Sequence, residues 1–212
     1  EVHSVSIPEQ NDRFILRTNE GTPFEQHMYS MNFDGSNRTR LTSGTGHFNG
    51  TLSPDGRRMA IIHSTQTRPE ELFLADARAG AEMARITTTP SGDFLAYPWV
   101  EAEIIRFPAQ DGAMVPARIY RPSQVGVEAH GGAVLFVHGA GYLQNVHDWW
   151  SSYYREWMFH HYLISQGFTV LDVDFRASAG YGRDWRTAIY RFMGGKDLSD
   201  YVDGVDWLVA NE

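Results

Sequence analysis

Near residue 100 the hydrophobic pattern of the chain changes period, and one packing layer cannot satisfy both halves. From residue 1 to 98 short apolar stretches are cut by turns. Arg13-Phe14-Ile15-Leu16-Arg17 reads as a strand, and His27 to Phe33 alternates with the period of two that sends side chains to opposite faces. Asp34-Gly35 and Ser53-Pro54-Asp55-Gly56 are turn sequences, since glycine accepts the positive φ that other residues resist. Met59-Ala60-Ile61-Ile62 and Leu72-Phe73-Leu74-Ala75 supply further strands. Beyond Val100, Glu103 to Phe107, the turn Gln110-Asp111-Gly112 and Ala117 to Tyr120 make a hairpin. Ala133-Val134-Leu135-Phe136-Val137 and Phe168 to Asp174 are continuous apolar runs, which predicts strands buried on both faces. A helix is predicted over 151–166, with Tyr154, Trp157, Met158, His161 and Ile164 inward and Gly167 ending it. A second is predicted over 197–209 with Tyr201, Val205 and Leu208 inward. Strand, helix, strand, helix requires crossovers and hence a parallel sheet, so residues 99–212 read as α/β.

The upstream half carries an internal echo. Met28-Tyr29-Ser30-Met31 and then Arg40-Leu41-Thr42 return as Leu72-Phe73-Leu74-Ala75 and then Arg85-Ile86-Thr87, an offset of 44 residues at the start (28 to 72) and 45 at the end (42 to 87). A propeller blade of four strands takes about 40–45 residues, so residues 1–98 fit two blades. An antiparallel meander with a chance echo is the other reading.

Composition removes several function classes. Against 18 Lys+Arg stand 26 Asp+Glu, and a net charge of -8 repels phosphate backbones, so nucleic acid is not an expected partner. The longest purely apolar run, Ala133 to Val137, is far short of the ~20 residues a membrane-spanning helix needs. With no cysteine there is no disulfide, thiol nucleophile or Cys-based zinc site, and the compartment stays open. The nine histidines are scattered; His160-His161 with His147 come nearest to a metal set. Adjacent helical residues point about 100° apart, so packing or solvent exposure is expected of the pair instead. Asp172 and Asp174 could hold a cation from one face of their strand; capping the next turn, or pairing with Arg176 and Arg183, is the stronger expectation. The chain starts at Glu1 without an initiator Met or signal-like segment and stops at Glu212 just after a helical pattern, which reads as a piece of a longer chain.

Two loops carry the chemistry. His138-Gly139-Ala140-Gly141-Tyr142 follows the first buried strand, and its small residues let backbone N–H groups turn toward a ligand. In an α/β-hydrolase this loop gives one oxyanion donor and the residue after the nucleophile gives the other; a ligand-free turn is the alternative. Arg176-Ala177-Ser178-Ala179-Gly180-Tyr181-Gly182 follows the second strand, with Trp185 where a dinucleotide loop needs its third glycine, so no nucleotide cofactor is expected. No Gly-x-Ser-x-Gly occurs; Ser178 is flanked by alanines.

These residues resemble the start of the catalytic domain of the prolyl oligopeptidase family of serine peptidases, nearest its dipeptidyl peptidase IV-like and acylaminoacyl-peptidase-like branches. The resemblance is carried by Phe136 to Gly141, Asp174 to Gly182, Gly194-Gly195-Lys196-Asp197-Leu198 and Gly204-Val205-Asp206-Trp207-Leu208. Upstream, Gly46-His47-Phe48-Asn49 through Ser53-Pro54-Asp55-Gly56 is similar to that family's last propeller blade. It implies a β-propeller fragment (last blades) over 1–98, followed over 99–212 by the N-terminal half of an α/β-hydrolase domain, truncated before the nucleophile elbow. The implied activity is hydrolysis of short peptides through an acyl-enzyme, with a possible homodimer and a periplasmic or secreted location. An esterase or acyl-amino-acid hydrolase, or a non-catalytic binding protein on the same fold, are the alternatives. The triad serine, Asp and His would lie beyond Glu212, which leaves His138, Gly139 and Ala140 as site residues, with no metal and no cofactor. Two departures matter: Ala177 stands where many members have Gly, and His138 stands where dipeptidyl peptidases commonly carry a Tyr whose hydroxyl helps the oxyanion. A backbone donor from Gly139 or Ala140 is therefore expected here.

Overall fold

Alternating side chains and glycine turns organise the first part of the chain into antiparallel sheets in the computed structural model, which describes residues 1–8, 12–139 and 142–212. The strands β1 (Val2–Ser6), β2 (Arg13–Thr18), β3 (His27–Asn32) and β4 (Thr39–Arg40) form one four-stranded sheet in sequential order. The next sheet repeats the plan with β5 (His47–Leu52), β6 (Arg58–Thr65), β7 (Arg68–Asp76) and β8 (Ala84–Arg85). A short helix α1 (Gly92–Ala96) follows, its first turn capped by the Ser91 hydroxyl, which accepts from the Phe94 amide. Ile15, Met28, Leu41, Phe48, Met59 and Ile61 bury their side chains together as the core of these sheets. Gly46 admits no other residue: its φ is +112°, and an added Cβ would lie 2.1 Å from the Ser64 carbonyl oxygen.

The sequence echo is a repeat of register. Tyr29 faces Arg40 across β3 and β4, and Phe73 faces Arg85 across β7 and β8. After each pair the same bonds recur. Leu41 N donates to Met28 O and Ile86 N to Leu72 O, both at 2.8 Å. Thr42 Oγ1 accepts from Met28 N at 3.1 Å, and Thr87 Oγ1 accepts from Leu72 N at 2.9 Å. These elements and Asp148–Trp150 make up one compact unit, Glu1–Pro98 with Asp148–Trp150. Nothing in the sequence singled out those three residues.

The second unit, Trp99–His147 with Ser151–Glu212, is built on one mixed sheet. Its strands are β9 (Glu103–Pro108), β10 (Met114–Tyr120), β11 (Ala133–Phe136) and β12 (Thr169–Val173), and a 3-10 turn spans Pro122–Val125. Helix α2 (Tyr154–Ser165) precedes β12; α3 (Arg183–Arg186) and α4 (Lys196–Asn211) follow it. The sheet order is β11-β12-β10-β9. Only β11 and β12 are parallel; the β9–β10 hairpin joins β12 antiparallel, so the all-parallel expectation is corrected to a mixed sheet. The expectation that both apolar strands are buried on both faces is also corrected. All five residues of β12 are buried, whereas β11 is half-buried to exposed and Val137 is 61% exposed. The reason is position: β12 has a strand on either side, and β11 ends the sheet.

Side-chain parity gives the two faces different chemistry. Val115, Ala117 and Ile119 of β10 and Leu171 and Val173 of β12 point to an apolar core completed by Phe107 and by Leu208 of α4. Gly204 lets α4 come close, since a Cβ there would stand 3.2 Å from Phe107 and 3.3 Å from Leu171. The other face, under α2, is polar: Arg118 and Asp172 meet there at 2.6 Å, and Tyr120 packs on His160 and His161. Both histidines are buried, so the solvent-exposure option for the pair is excluded. Val205, expected inward, is exposed; Asp200, Asp203, Gly204 and Leu208 take the buried face of α4.

Candidate active site

The polar face of the second unit leads to the loop after β11. Asp172 lies opposite Arg118 near the end of β12, and its Oδ2 accepts from Arg118 Nη2 and from Asn145 Nδ2, both at 2.6 Å. Asp174, two residues on, accepts from the amides of Asn145 (2.8 Å) and Val146 (3.1 Å) and from the Tyr181 hydroxyl (2.7 Å). Asn145 Oδ1 accepts from Ser151 Oγ at 2.6 Å, and Ser151 Oγ accepts from Tyr153 N at 3.0 Å. The two carboxylates thus fasten the segment leading into α2 to the sheet. This corrects the expectation that they pair with Arg176 and Arg183. Arg176 turns to Asp200, with Nη2 at 2.6 Å from Oδ1, and to Asp111; Arg183 pairs with Asp184. Among the described residues no cluster of three or more His, Asp or Glu could hold a metal.

His138 is 2% exposed and stacks on Phe175. Its Nδ1 faces Gly139 O at 3.0 Å, and its Nε2 faces both Asp174 Oδ1 and Ser178 Oγ at 3.1 Å. A carbonyl on one side and a carboxylate on the other both ask for N–H, so the site favours imidazolium. Burial opposes that charge, but the hydrogen bond and charge of Asp174 outweigh it and raise the pKa above the ordinary histidine value. Ser178, His138 and Asp174 share the residue types of a catalytic triad without its geometry. A triad base bonds serine with one nitrogen and Asp with the other. Here both fall on Nε2, and Ser178 and Asp174 are each 0% exposed.

Gly139 is exposed, and its N–H donates to the Tyr153 hydroxyl at 2.9 Å. A Cβ on Gly139 would sit 3.3 Å from that hydroxyl, so the approach needs a small residue. Ala140 and Gly141 lie outside the described residues. Of the expected site residues, then, His138 is locked inward and Gly139 faces out with its amide already bonded. Sequence reading did not single out Tyr153, Asn145 or Ser151, and it gave Tyr181 no partner. Their roles come from contacts six to 29 residues apart along the chain, which no local pattern signals.

Comparison with known proteins bears on the same region. The prolyl oligopeptidase family pattern matches residues 149–212. Uncharacterized peptidase YuxL of Bacillus subtilis (strain 168) is 28% identical over 162 residues, covering 76% of this chain and 23% of its own length. The chain therefore spans about a quarter of that relative, whose remaining length has no counterpart here. In fold, Porphyromonas gingivalis dipeptidyl peptidase 4 matches with a TM-score of 0.80 and 20% identity, over 96% of this chain and 28% of that one. Pyrococcus horikoshii acylaminoacyl peptidase matches with 0.75 and 21%, over 100% of this chain and 31% of that one. Residues 149–212 thus resemble the prolyl oligopeptidase family, and the chain as a whole has a fold similar to a dipeptidyl peptidase 4 and an acylaminoacyl peptidase.

Proposed function

We propose that this chain is part of a serine peptidase that hydrolyses short peptides through an acyl-enzyme. In this reading the two four-stranded sheets of residues 1–98 are propeller blades, and residues 99–212 are the first half of an α/β-hydrolase domain. The observation that carries it is Gly139, exposed just past the C-terminal end of a parallel strand, with Asn145 and Val146 farther on bonded to Asp172 and Asp174, in a chain whose residues 149–212 match the family pattern. Such a loop offers N–H groups to the oxygen of a tetrahedral intermediate. A serine supplied elsewhere in the protein attacks the peptide carbonyl and passes its proton to a histidine. The C–N bond then breaks, the amine leaves with that proton, and water hydrolyses the ester. The loop's part is His138 to Gly141, with the Ala140 amide as backbone donor.

A fluorophosphonate probe tests this. The complete protein should be labelled at one serine and hydrolyse peptide amides, while residues 1–212 alone, which contain no Gly-x-Ser-x-Gly, stay unlabelled. Labelling of the 212-residue chain, or activity on esters but never amides, would reject the peptidase reading.

A further inference from the structure

The sheet face under α2 gathers four buried polar atoms that the polypeptide itself leaves unbonded. Arg118 Nη1, Tyr120 Oη, His160 Nδ1 and Asp172 Oδ1 have no hydrogen-bond partner among the described residues. The four residues are no more than 4% exposed. Nearly every buried polar group in a folded protein is paired, because a bare one forfeits the bonds it had to solvent. Neighbouring atoms follow that rule. Asp172 Oδ2 holds Arg118 Nη2 and Asn145 Nδ2, and both ring nitrogens of His161 meet backbone carbonyls.

Strand register brings the four together. Arg118 of β10 lies opposite Asp172 of β12, and Asp172 lies beside Phe136 of β11, so these three side chains cross the sheet in one row. Tyr120 is two residues along β10 from Arg118 and hence on the same face. The His160 ring stands 5.3 Å from the ring of Tyr120 and 5.3 Å from that of Phe136, which belong to the strands on either side of β12. A ring close to both lies over the strand between them, which carries Asp172. Burial first of all lowers the His160 pKa to about 4, with the charges of Asp172 and Arg118 acting on it in opposite directions. The imidazole is therefore neutral at pH 7.

We propose that this face is a binding site for one ordered water, which accepts from Arg118 Nη1 and Tyr120 Oη and donates to Asp172 Oδ1 and His160 Nδ1. The count of bonds fits. Two donors and two acceptors are what a single water satisfies at once, and buried waters make about three such bonds on average. Charge argues against an ion. Arg118 and Asp172 neutralise each other, so a cation would meet the guanidinium and an anion the free carboxylate oxygen, each at close range. The water also bears on the segment leading into α2. Asp172 Oδ2 carries Asn145, and Asn145 carries Ser151, so a bond on Oδ1 fixes the plane of that carboxylate from its other side.

The test is a crystal structure of the complete protein that resolves ordered solvent, grown once in chloride and once in bromide. One oxygen peak at hydrogen-bond distance from all four atoms, ~2.6–3.2 Å, is the expected result, with no anomalous bromide signal there. Direct bonds among the four groups with no peak between them overturn the proposal. So does a bromide peak, or contacts as short as about 2.0–2.4 Å, which mark a cation. Tyr120→Phe is the second measurement; it keeps the ring against His160 and removes one donor. The water then loses a partner, and the unfolding equilibrium constant at fixed urea should rise by about 5–30-fold. A hydroxyl bonded to nothing would behave the other way, since its removal relieves a desolvation cost. An unchanged or lower constant is therefore the contrary result. If Tyr120→Phe does not fold, the wild-type solvent map decides alone. No readout here involves peptide hydrolysis, so the water site and the peptidase reading can fail separately.

Discussion

Ala177 shows how one residue records the demands of a loop. Its φ is +129°, in the region that non-glycine residues avoid, and its methyl is buried in the apolar core beneath α4. Backbone strain of that kind costs about 1–3 kcal/mol. Replacing it with Gly relieves the strain but gives up about 0.4–1 kcal/mol to the freer unfolded chain and about 0.8 kcal/mol of methyl burial. The terms nearly cancel, so Ala177→Gly should fall within about 1 kcal/mol of wild type. Ala117 belongs to the same core, in mid-strand and without positive φ, and has no strain to relieve. Ala117→Gly should therefore lose about 1–2 kcal/mol. Urea midpoints measure both, and equal losses would show that the φ at 177 carries no penalty. The departure noted in the sequence, Ala where the resembling family often has Gly, is thus visible as backbone geometry.

Among the elements, the paired strands β3–β4 and β7–β8 are the clearest case of one sequence pattern giving one bonding pattern twice. Each ends on a threonine whose hydroxyl accepts the amide of the residue that opens the echo. The surroundings differ, however. Thr42 is 4% exposed and its hydroxyl also meets His27 Nδ1 at 3.0 Å. Thr87 is half-buried, and its second partner, Glu71, keeps bonds to the Thr89 amide and hydroxyl. Thr42→Val strands a buried amide and should cost about 1–3 kcal/mol. Thr87→Val should cost visibly less, and Thr42→Ser should restore most of the loss. Chemical denaturation of the three variants checks the order; Thr87→Val as damaging as Thr42→Val would mean the repeat is energetically uniform.

At the scale of the whole molecule, buried histidines set the response to acid. Burial is the leading cause that lowers the pKa of His3, His27, His47, His63, His160 and His161, with His47 and His160 brought to about 4. A histidine held neutral in the fold but free to protonate when unfolded stabilises fully above pH ~6.5, and that contribution is lost as pH falls toward the folded value. His138 has the opposite sign: its raised pKa stabilises below ~6.5 and is lost as pH rises through the folded value. Asp111, lowered to about 2 chiefly by its bond to Arg176, keeps its contribution until the pH drops below ~4 and so does not act in this window. Asp200, raised chiefly by burial, has the same sign as His138, and six groups against two still give a melting temperature that declines from pH 6.5 to 4. Thermal melts across that range measure it, and a Tm that holds or rises on acidification would contradict the sign.

What the sequence determined by itself is local: where strands and helices run, the echo 44 to 45 residues apart, the turns, and the small-residue loop at 138–141. These follow from side-chain period and from glycine, which act over a few residues. Tertiary structure decided what depends on register between distant segments. Asp172 lies opposite Arg118 because β12 pairs antiparallel with β10, and β11 is half-exposed because it ends the sheet. The His138 pKa is raised because Asp174 stands 3.1 Å from its Nε2. Tyr153 reaches Gly139 across 14 residues because α2 begins beside the end of β11. Hydrogen bonds are short-ranged and directional, so a shift of one residue in any of these pairings would remove them while leaving every local pattern intact.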